Sequence, residues 1–161
     1  MIRKAQKIDI DIIMHIYDKA RKFMRSTGNP NQWKDDYPKK ELILKDIESN
    51  NLYVITDEIN VPHAVFYFYI GEDPTYKVIK KGNWLNDKPY GVIHRIASDG
   101  FSHGILKECV NYCKNFSSEI RIDTHNDNNV MQSALEKIGF IRCGIINLLN
   151  GEERIAYHIS F

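Results

Sequence analysis

Cysteine is scarce in this chain: Cys109, Cys113 and Cys143 are the only three in 161 residues. So small and odd a number cannot build a disulfide framework, and a reducing compartment is the expectation. Cys109 and Cys113 stand one helical turn apart, a spacing that holds a metal only with partners from elsewhere. The other reading is thiols buried in a helix, and no metal site is expected. Long apolar runs are also missing, so no segment has the length of a membrane span. The opening MIRKAQKIDID has no apolar h-region, and a cytoplasmic location is expected. An excess of one charge is missing too: Lys plus Arg number 22 against 21 for Asp plus Glu, a net charge of +1. That balance argues against a general nucleic-acid binder. The basic pairs Lys39-Lys40 and Lys80-Lys81 read as solvated surface. No P-loop and no G-x-G-x-x-G after the first strand are present, and there is no βαβ start, which argues against a Rossmann-type nucleotide site. No internal repeat or low-complexity tract divides the chain, so residues 1–161 are read as one domain.

What is present is a mixed pattern of strands and helices. Residues 2–6 read as a short strand. Ile8, Ile12, Ile13, Ile16, Tyr17, Ala20, Phe23 and Met24 recur at helical spacing, and Gly28 and Pro30 end that helix. A polar linker follows with Trp33 and Tyr37, then a second helix over about 39–50. NLYVITDE and HAVFYFYIG read as two strands, rich in aromatic and β-branched residues. A loop from Glu72 to Pro89 carries Tyr76 and Trp84. Strand GVIHRIA, turn SDGFSHG, helix ILKECVNYCKN, strand EIRIDTH and helix NNVMQSALEKI come next. FIRCGII and RIAYHIS close the chain as strands. The order β-α-α-β-β-β-α-β-α-β-β specifies one mixed α/β domain. The strand–glycine turn–helix at Gly91–Asn115 aims unpaired amides of a helix start at one point, where the helix dipole adds partial positive charge. Such a corner binds anions, phosphate above all.

On these features the chain resembles the GNAT superfamily of N-acetyltransferases over nearly its whole length. The resemblance rests on HRIAS running into Gly100 and Gly104-Ile105, on Asn128 eleven residues before Gly139 in NNVMQSALEKIGF, and on RIDTHNDN at Arg121–Asn128. It implies a central, mostly antiparallel mixed sheet of six to seven strands flanked by about four helices. It implies acetyl-CoA (coenzyme A) as co-substrate, with Ile96, Ala97 and Ser98 meeting the pantetheine arm, Phe101, Ser102, His103, Gly104 and Ile105 around the pyrophosphate, and Asn128 beside the pantetheine. The sequence departs from the family's loop pattern at Phe101 and Leu106. It also has Leu135 where a tyrosine often protonates the leaving thiolate.

Acetyl transfer needs a base. Strict alternation places Val92, His94 and Ile96 on one strand face and Ile93, Arg95 and Ala97 on the other. Two roles fit His94: a catalytic base, for which an imidazole of pKa about 6.5 is suited, or a hydrogen-bonded core residue. Glu72 and Asp73 are alternative bases or solvated turn carboxylates. His15 reads as lying where the first helix meets solvent, His63 and His158 as structural, and His125 as part of a turn, able to pair with Asp123. Trp33, Tyr37, Glu72 and Trp84 are the candidate substrate walls, suited to a small-molecule amine; the tryptophans could equally pin their loops. The function expected is an acetyl-CoA-dependent N-acetyltransferase for a small amine or amino-acid-like acceptor. The alternative is a non-catalytic acyl-CoA-binding module. No nucleic acid or membrane partner is expected, and a homodimer is possible.

Overall fold

The computed structural model describes all residues from 1 to 161. Seven strands form one sheet: β1 (Ile2–Lys4), β2 (Leu52–Thr56), β3 (Pro62–Ile70), β4 (Gly91–Ser98), β5 (Glu119–Thr124), β6 (Ile141–Asn147) and β7 (Glu153–Ser160), in the order β1-β2-β3-β4-β5-β7-β6. Four helices flank it: α1 (Ile10–Ser26), α2 (Lys40–Glu48), α3 (Ile105–Cys113) and α4 (Asn129–Lys137). Every strand pair is antiparallel except β4–β5. This is the mixed, mostly antiparallel sheet of seven strands with four helices that the resemblance implies.

The alternating strands bury both faces of the sheet. On one side Phe66, Phe68, Ile93, Ile120, Ile122 and Tyr157 pack with Cys109, Cys113 and Leu135 of α3 and α4. On the other, Val54, Val65 and Ala97 meet Ile13, Ile16 and Tyr17 of α1 and Ile43 of α2. Beside that second layer Tyr76, Tyr90, Val92, Ile146 and Ala156 form a smaller cluster under the 71–90 segment. All three cysteines are free and buried. Two apolar residues read as helix core lie elsewhere. Ile8 precedes α1 in a 3-10 turn and is 87% exposed, and Phe23 is 53% exposed on the side of α1 that faces a groove. The 71–90 segment is anchored rather than loose: Lys80 pairs with Ile145, and Gly82 crosses so close to β6 that a Cβ there would sit 1.8 Å from the Cys143 carbonyl oxygen.

One irregularity governs the centre of the sheet. β4 pairs with β3 at Tyr67↔His94 and again at Val65↔Ala97, so β4 has an extra residue between these pairs. Arg95 occupies this bulge with φ +50°, a conformation few side chains adopt. The strict alternation expected for this strand therefore fails. His94 and Arg95 share a face, and Ile96 turns to the opposite core with Ile93. Three contacts hold Arg95 in place. Its guanidinium lies 2.7 Å from the Asp46 carboxylate, it covers the Tyr67 ring at 4.6 Å, and its carbonyl accepts the Tyr17 hydroxyl at 2.9 Å. Parallel pairing of β4 with β5 stops at Val92↔Arg121, and beyond it the two strands part like a fork.

Removing Asp46 strands the buried Arg95 charge. Asp46→Ala is expected to destabilise the fold by about 3–5 kcal/mol, the usual loss when one partner of a buried pair is deleted. Urea denaturation measures it, and a loss under about 1 kcal/mol would show that the pair does not hold the bulge.

Candidate active site

Above the fork lies a groove of about 600 Å³. Ile96, Ala97 and Ser98 of β4 form its floor, Ala20 and Phe23 of α1 one wall, and Asn128 and Val130 at the start of α4 the other. The loop residues Ser102, His103 and Gly104, with Ile105 opening α3, close its head. None of the backbone amides from Ser102 to Lys107 has an acceptor within the protein. They open α3, so its dipole adds partial positive charge at the same point. Gly104 has φ +75°, and a Cβ built there would meet nothing within 4 Å, so the backbone is open to approach. Lys19 also lines the groove. Orphaned amides on an open turn, with cationic groups near, suit a diphosphate.

Phe101 departs from its expected place. Its amide donates to Asp99 Oδ1 at 2.8 Å, and its ring stacks on His63 at 4.0 Å, outside the groove and 67% exposed. The reason is local. Asp99 caps the turn, and His63 offers a flat partner on the far side. Asn128 lines the groove and caps α4, accepting from the Met131 amide at 3.0 Å. Its amide nitrogen donates to Gln32 Oε1 at 2.8 Å, and Asn29 donates to the same oxygen at 2.9 Å. Gln32 thus ties the 27–39 linker to the groove. It passed unnoticed in the sequence because a glutamine in a polar linker carries no pattern.

At the base of the fork stands His94. Its Nε2 donates to Asp73 Oδ2 at 2.6 Å, which assigns the ring proton, because a carboxylate only accepts. Nδ1 faces Asp123 Oδ2 at 3.8 Å. Asp73 itself accepts from the Thr75 amide at 2.8 Å, the Thr75 hydroxyl at 2.6 Å and the Tyr69 hydroxyl at 3.2 Å. Burial pushes the Asp73 carboxyl up, but the bonds from His94 and Thr75 outweigh it and hold it well below the usual carboxylate range. Tyr76 donates to Asp123 Oδ2 at 2.7 Å, and its burial, with Asp123 beside it, raises the phenol far above its ordinary value. The His94 side chain remains 23% exposed, enough to be reached.

The expected walls divide. Trp33 and Tyr37 lie on the face of the bulge, Trp33 against Tyr17 at 5.6 Å and Tyr37 against Trp33 at 6.3 Å. Glu72 does not join the cluster: its side chain is 79% exposed, 3.8 Å from Lys77. Its neighbour Asp73 points inward instead. Trp84 is used within its own loop, its indole donating to the Tyr76 carbonyl at 2.9 Å and lying over Arg121 at 4.2 Å. Asp123 bonds Tyr76 rather than His125, whose Nδ1 accepts from the Asp127 amide at 3.0 Å. His158 is fully buried: its Nδ1 accepts from the Leu85 amide at 3.3 Å and its Nε2 donates to Glu119 at 2.9 Å. No group of three or more His, Cys, Asp or Glu side chains is placed to hold a metal.

Solved structures share this fold. A GNAT-family acetyltransferase from Streptococcus agalactiae matches with a TM-score of 0.89 and 29% identity, covering 100% of this chain and 95% of its own. GNAT-family acetyltransferases from Listeria monocytogenes (TM-score 0.72, 16% identity, 100% and 94% covered) and Bacillus cereus (TM-score 0.62, 20% identity, 99% and 96% covered) share the fold. The chain has the GNAT acetyltransferase fold. No family model and no curated protein matches the sequence. Within this GNAT fold Leu135 is fully buried in the core, so α4 offers no hydroxyl at that position.

His63 fixes the back of the loop. Its Nδ1 donates to Asp99 at 2.7 Å and its Nε2 to Asp57 at 3.3 Å, so both ring nitrogens face carboxylates. The Asp99 bond raises the His63 pKa against the opposing effect of burial. A raised folded-state pKa means that this contribution to stability is full below about pH 6.5 and is lost as pH climbs through the higher folded value. His125 and His158 are shifted the other way, chiefly by burial, so their terms weaken as pH falls. The stability difference between wild type and His63→Gln isolates the first term. It is expected to stay level below about pH 6.5 and to shrink as the pH rises above it in urea titrations. A difference that stays constant with pH would mean that the paired imidazolium contributes nothing.

Proposed function

We propose that this protein is an acetyl-CoA-dependent N-acetyltransferase acting on a small amine or amino-acid-like acceptor. The observation that carries this reading is the row of unpartnered amides from Ser102 to Lys107, at the head of a groove floored by Ile96–Ser98 of β4, the strand that carries His94 two residues earlier. Those amides and the start of α3 would hold the diphosphate. Ile96–Ser98, on the β4 edge that has no β5 partner, would pair with the amides of the pantetheine arm as an added strand. Acetyl-CoA supplies the acetyl group as an activated thioester.

The rest falls to the chain. An alkylammonium has a pKa of about 10 and no lone pair, so it must lose a proton before it can attack. His94 Nδ1 takes that proton while Asp73 holds the imidazole in the right tautomer and stabilises the imidazolium, as the carboxylate does in a catalytic triad. The C–N bond forms as the C–S bond breaks. One ammonium and one thioester give one amide, one thiol and one proton, and the proton leaves through His94. A thiolate of pKa about 8.5 departs without an obligatory acid, which accommodates Leu135. A second reading, a non-catalytic acyl-CoA-binding module, is favoured by Leu135 alone.

Calorimetry with coenzyme A and a free-thiol assay with acetyl-CoA and an amine panel separate the two. Gly104→Val places a β-branched side chain on the open turn and should raise the coenzyme A dissociation constant at least about tenfold. An unchanged constant would remove the loop from the site. His94→Gln keeps a donor for Asp73 but no base. Turnover should fall by about a hundredfold or more, with the melting temperature and coenzyme A affinity unchanged. Coenzyme A binding with no turnover on any amine would favour the binding module.

A further inference from the structure

Asp123 has no assigned task in the chemistry above, and its surroundings suggest one. Extending the last β4–β5 pair, Val92↔Arg121, by two residues brings His94 and Asp123 opposite each other across the fork, on the same face. Asp123 Oδ2 accepts only the Tyr76 hydroxyl, and Oδ1 accepts nothing. The side chain is 11% exposed and no lysine or arginine pairs with it. The nearby cations are engaged elsewhere: Arg95 with Asp46, and Arg121 between Trp84 and Tyr90 at 4.2 and 3.8 Å. Asp73 is saturated by His94, Thr75 and Tyr69. Asp123 is therefore a nearly buried carboxylate with one oxygen free of protein donors, set beside the His94 ring, an arrangement that a bound cation would complete.

We propose that Asp123 is the anionic subsite that selects a positively charged primary amine and presents it to His94. This rests on the acetyl-transfer reading and names its substrate class: alkylammonium ions rather than weakly basic arylamines. The 3.8 Å between Nδ1 and Oδ2 is too long for a hydrogen bond. It is also far too short for an atom to stand in line between them. A nitrogen beside the pair can lie about 2.8 Å from both. One N–H of the ammonium then points at the carboxylate and another at the imidazole lone pair. Nδ1 removes the second proton, leaving a neutral amine still anchored by the first. The product amide carries no charge, so Asp123 holds it less well than the substrate, which favours release.

Matched ligands test this. Benzylamine is cationic at neutral pH, whereas aniline and benzyl alcohol are neutral. Binding of benzylamine and benzyl alcohol to the coenzyme A-saturated protein is read by calorimetry or by the His94 imidazole NMR signals. Turnover of benzylamine and aniline is read by thiol release. Wild type should bind benzylamine at least tenfold more tightly than benzyl alcohol. Asp123→Asn, which keeps shape and can still accept from Tyr76, should abolish that preference. It should also lower kcat/KM for benzylamine at least tenfold, mostly through KM, while aniline changes less than twofold. Equal losses for both amines, a preference that survives in Asp123→Asn, or failure of benzylamine to perturb His94 would each overturn the assignment. The binding arm needs no turnover. If coenzyme A does not bind, the transferase reading fails, and the amine preference is still measured on the free protein.

Discussion

The bulge at Arg95 is the constraint on which the rest of the centre depends. A left-handed backbone at a residue other than glycine costs about 1–2 kcal/mol, and Arg95 adopts one. It persists because Asp46, Tyr67 and Tyr17, drawn from α2, β3 and α1, all grip the same residue. The extra residue has two consequences. It brings Arg95 onto the face that His94 already holds by alternation from Val92, so that two ionisable side chains stand side by side there. It also turns Ile96 toward the opposite core, while Ile96, Ala97 and Ser98 together still floor the groove. Close behind it, β4 and β5 cease to pair, and the groove occupies the space between their ends.

Backbone and side chains divide the work. The head of the groove depends on amides, which need a turn geometry but tolerate many side chains. That explains how a loop with phenylalanine and leucine at usually polar or small positions can keep the anion-binding shape. Phe101 is turned outward onto His63, whose two carboxylate partners brace the turn from behind. The base of the fork is the reverse case. Its chemistry depends on individual groups, and their geometry is secured by bonds from several elements: Asp73 by Thr75 and Tyr69, Asp123 by Tyr76.

Most of the fold was legible because periodicity and glycine turns mark each element locally. The order of strands and helices, and the cluster of loop and strand residues around the groove, followed from that and from the resemblance. The fork chemistry was less legible. Alternation assumes a period of two, and nothing in GVIHRIAS announces an extra residue, because the cause lies in Asp46 and Tyr17, far away in sequence. Glu72 and Asp73 are adjacent carboxylates, and only the path of the chain into the 3-10 turn at Pro74–Tyr76 decides which points inward. Trp84 offered two roles, wall or pin, and the contacts it makes with the Tyr76 carbonyl and Arg121 are those of a pin, set by residues that the local sequence does not bring together. Gln32 gave no sign, since its importance is wholly tertiary.

The charges around the groove are arranged in opposition. At its head stand the orphan amides of α3, Lys19 and His103, and the one acid nearby, Asp99, is bonded to His63. Further back along β4, at the base of the fork, stand Asp73 and Asp123 around a single imidazole, while the arginines close by are engaged by Asp46 or by aromatic rings. An anion is favoured at one end and a cation at the other, and a low-dielectric setting strengthens both preferences. Two substrates of opposite charge would each be drawn to the correct end, and neither could take the other's place without meeting like charge. In the proposed reaction the thioester lies where those two fields meet. The same arrangement that sorts the reactants therefore leaves the amine beside the one group positioned to deprotonate it.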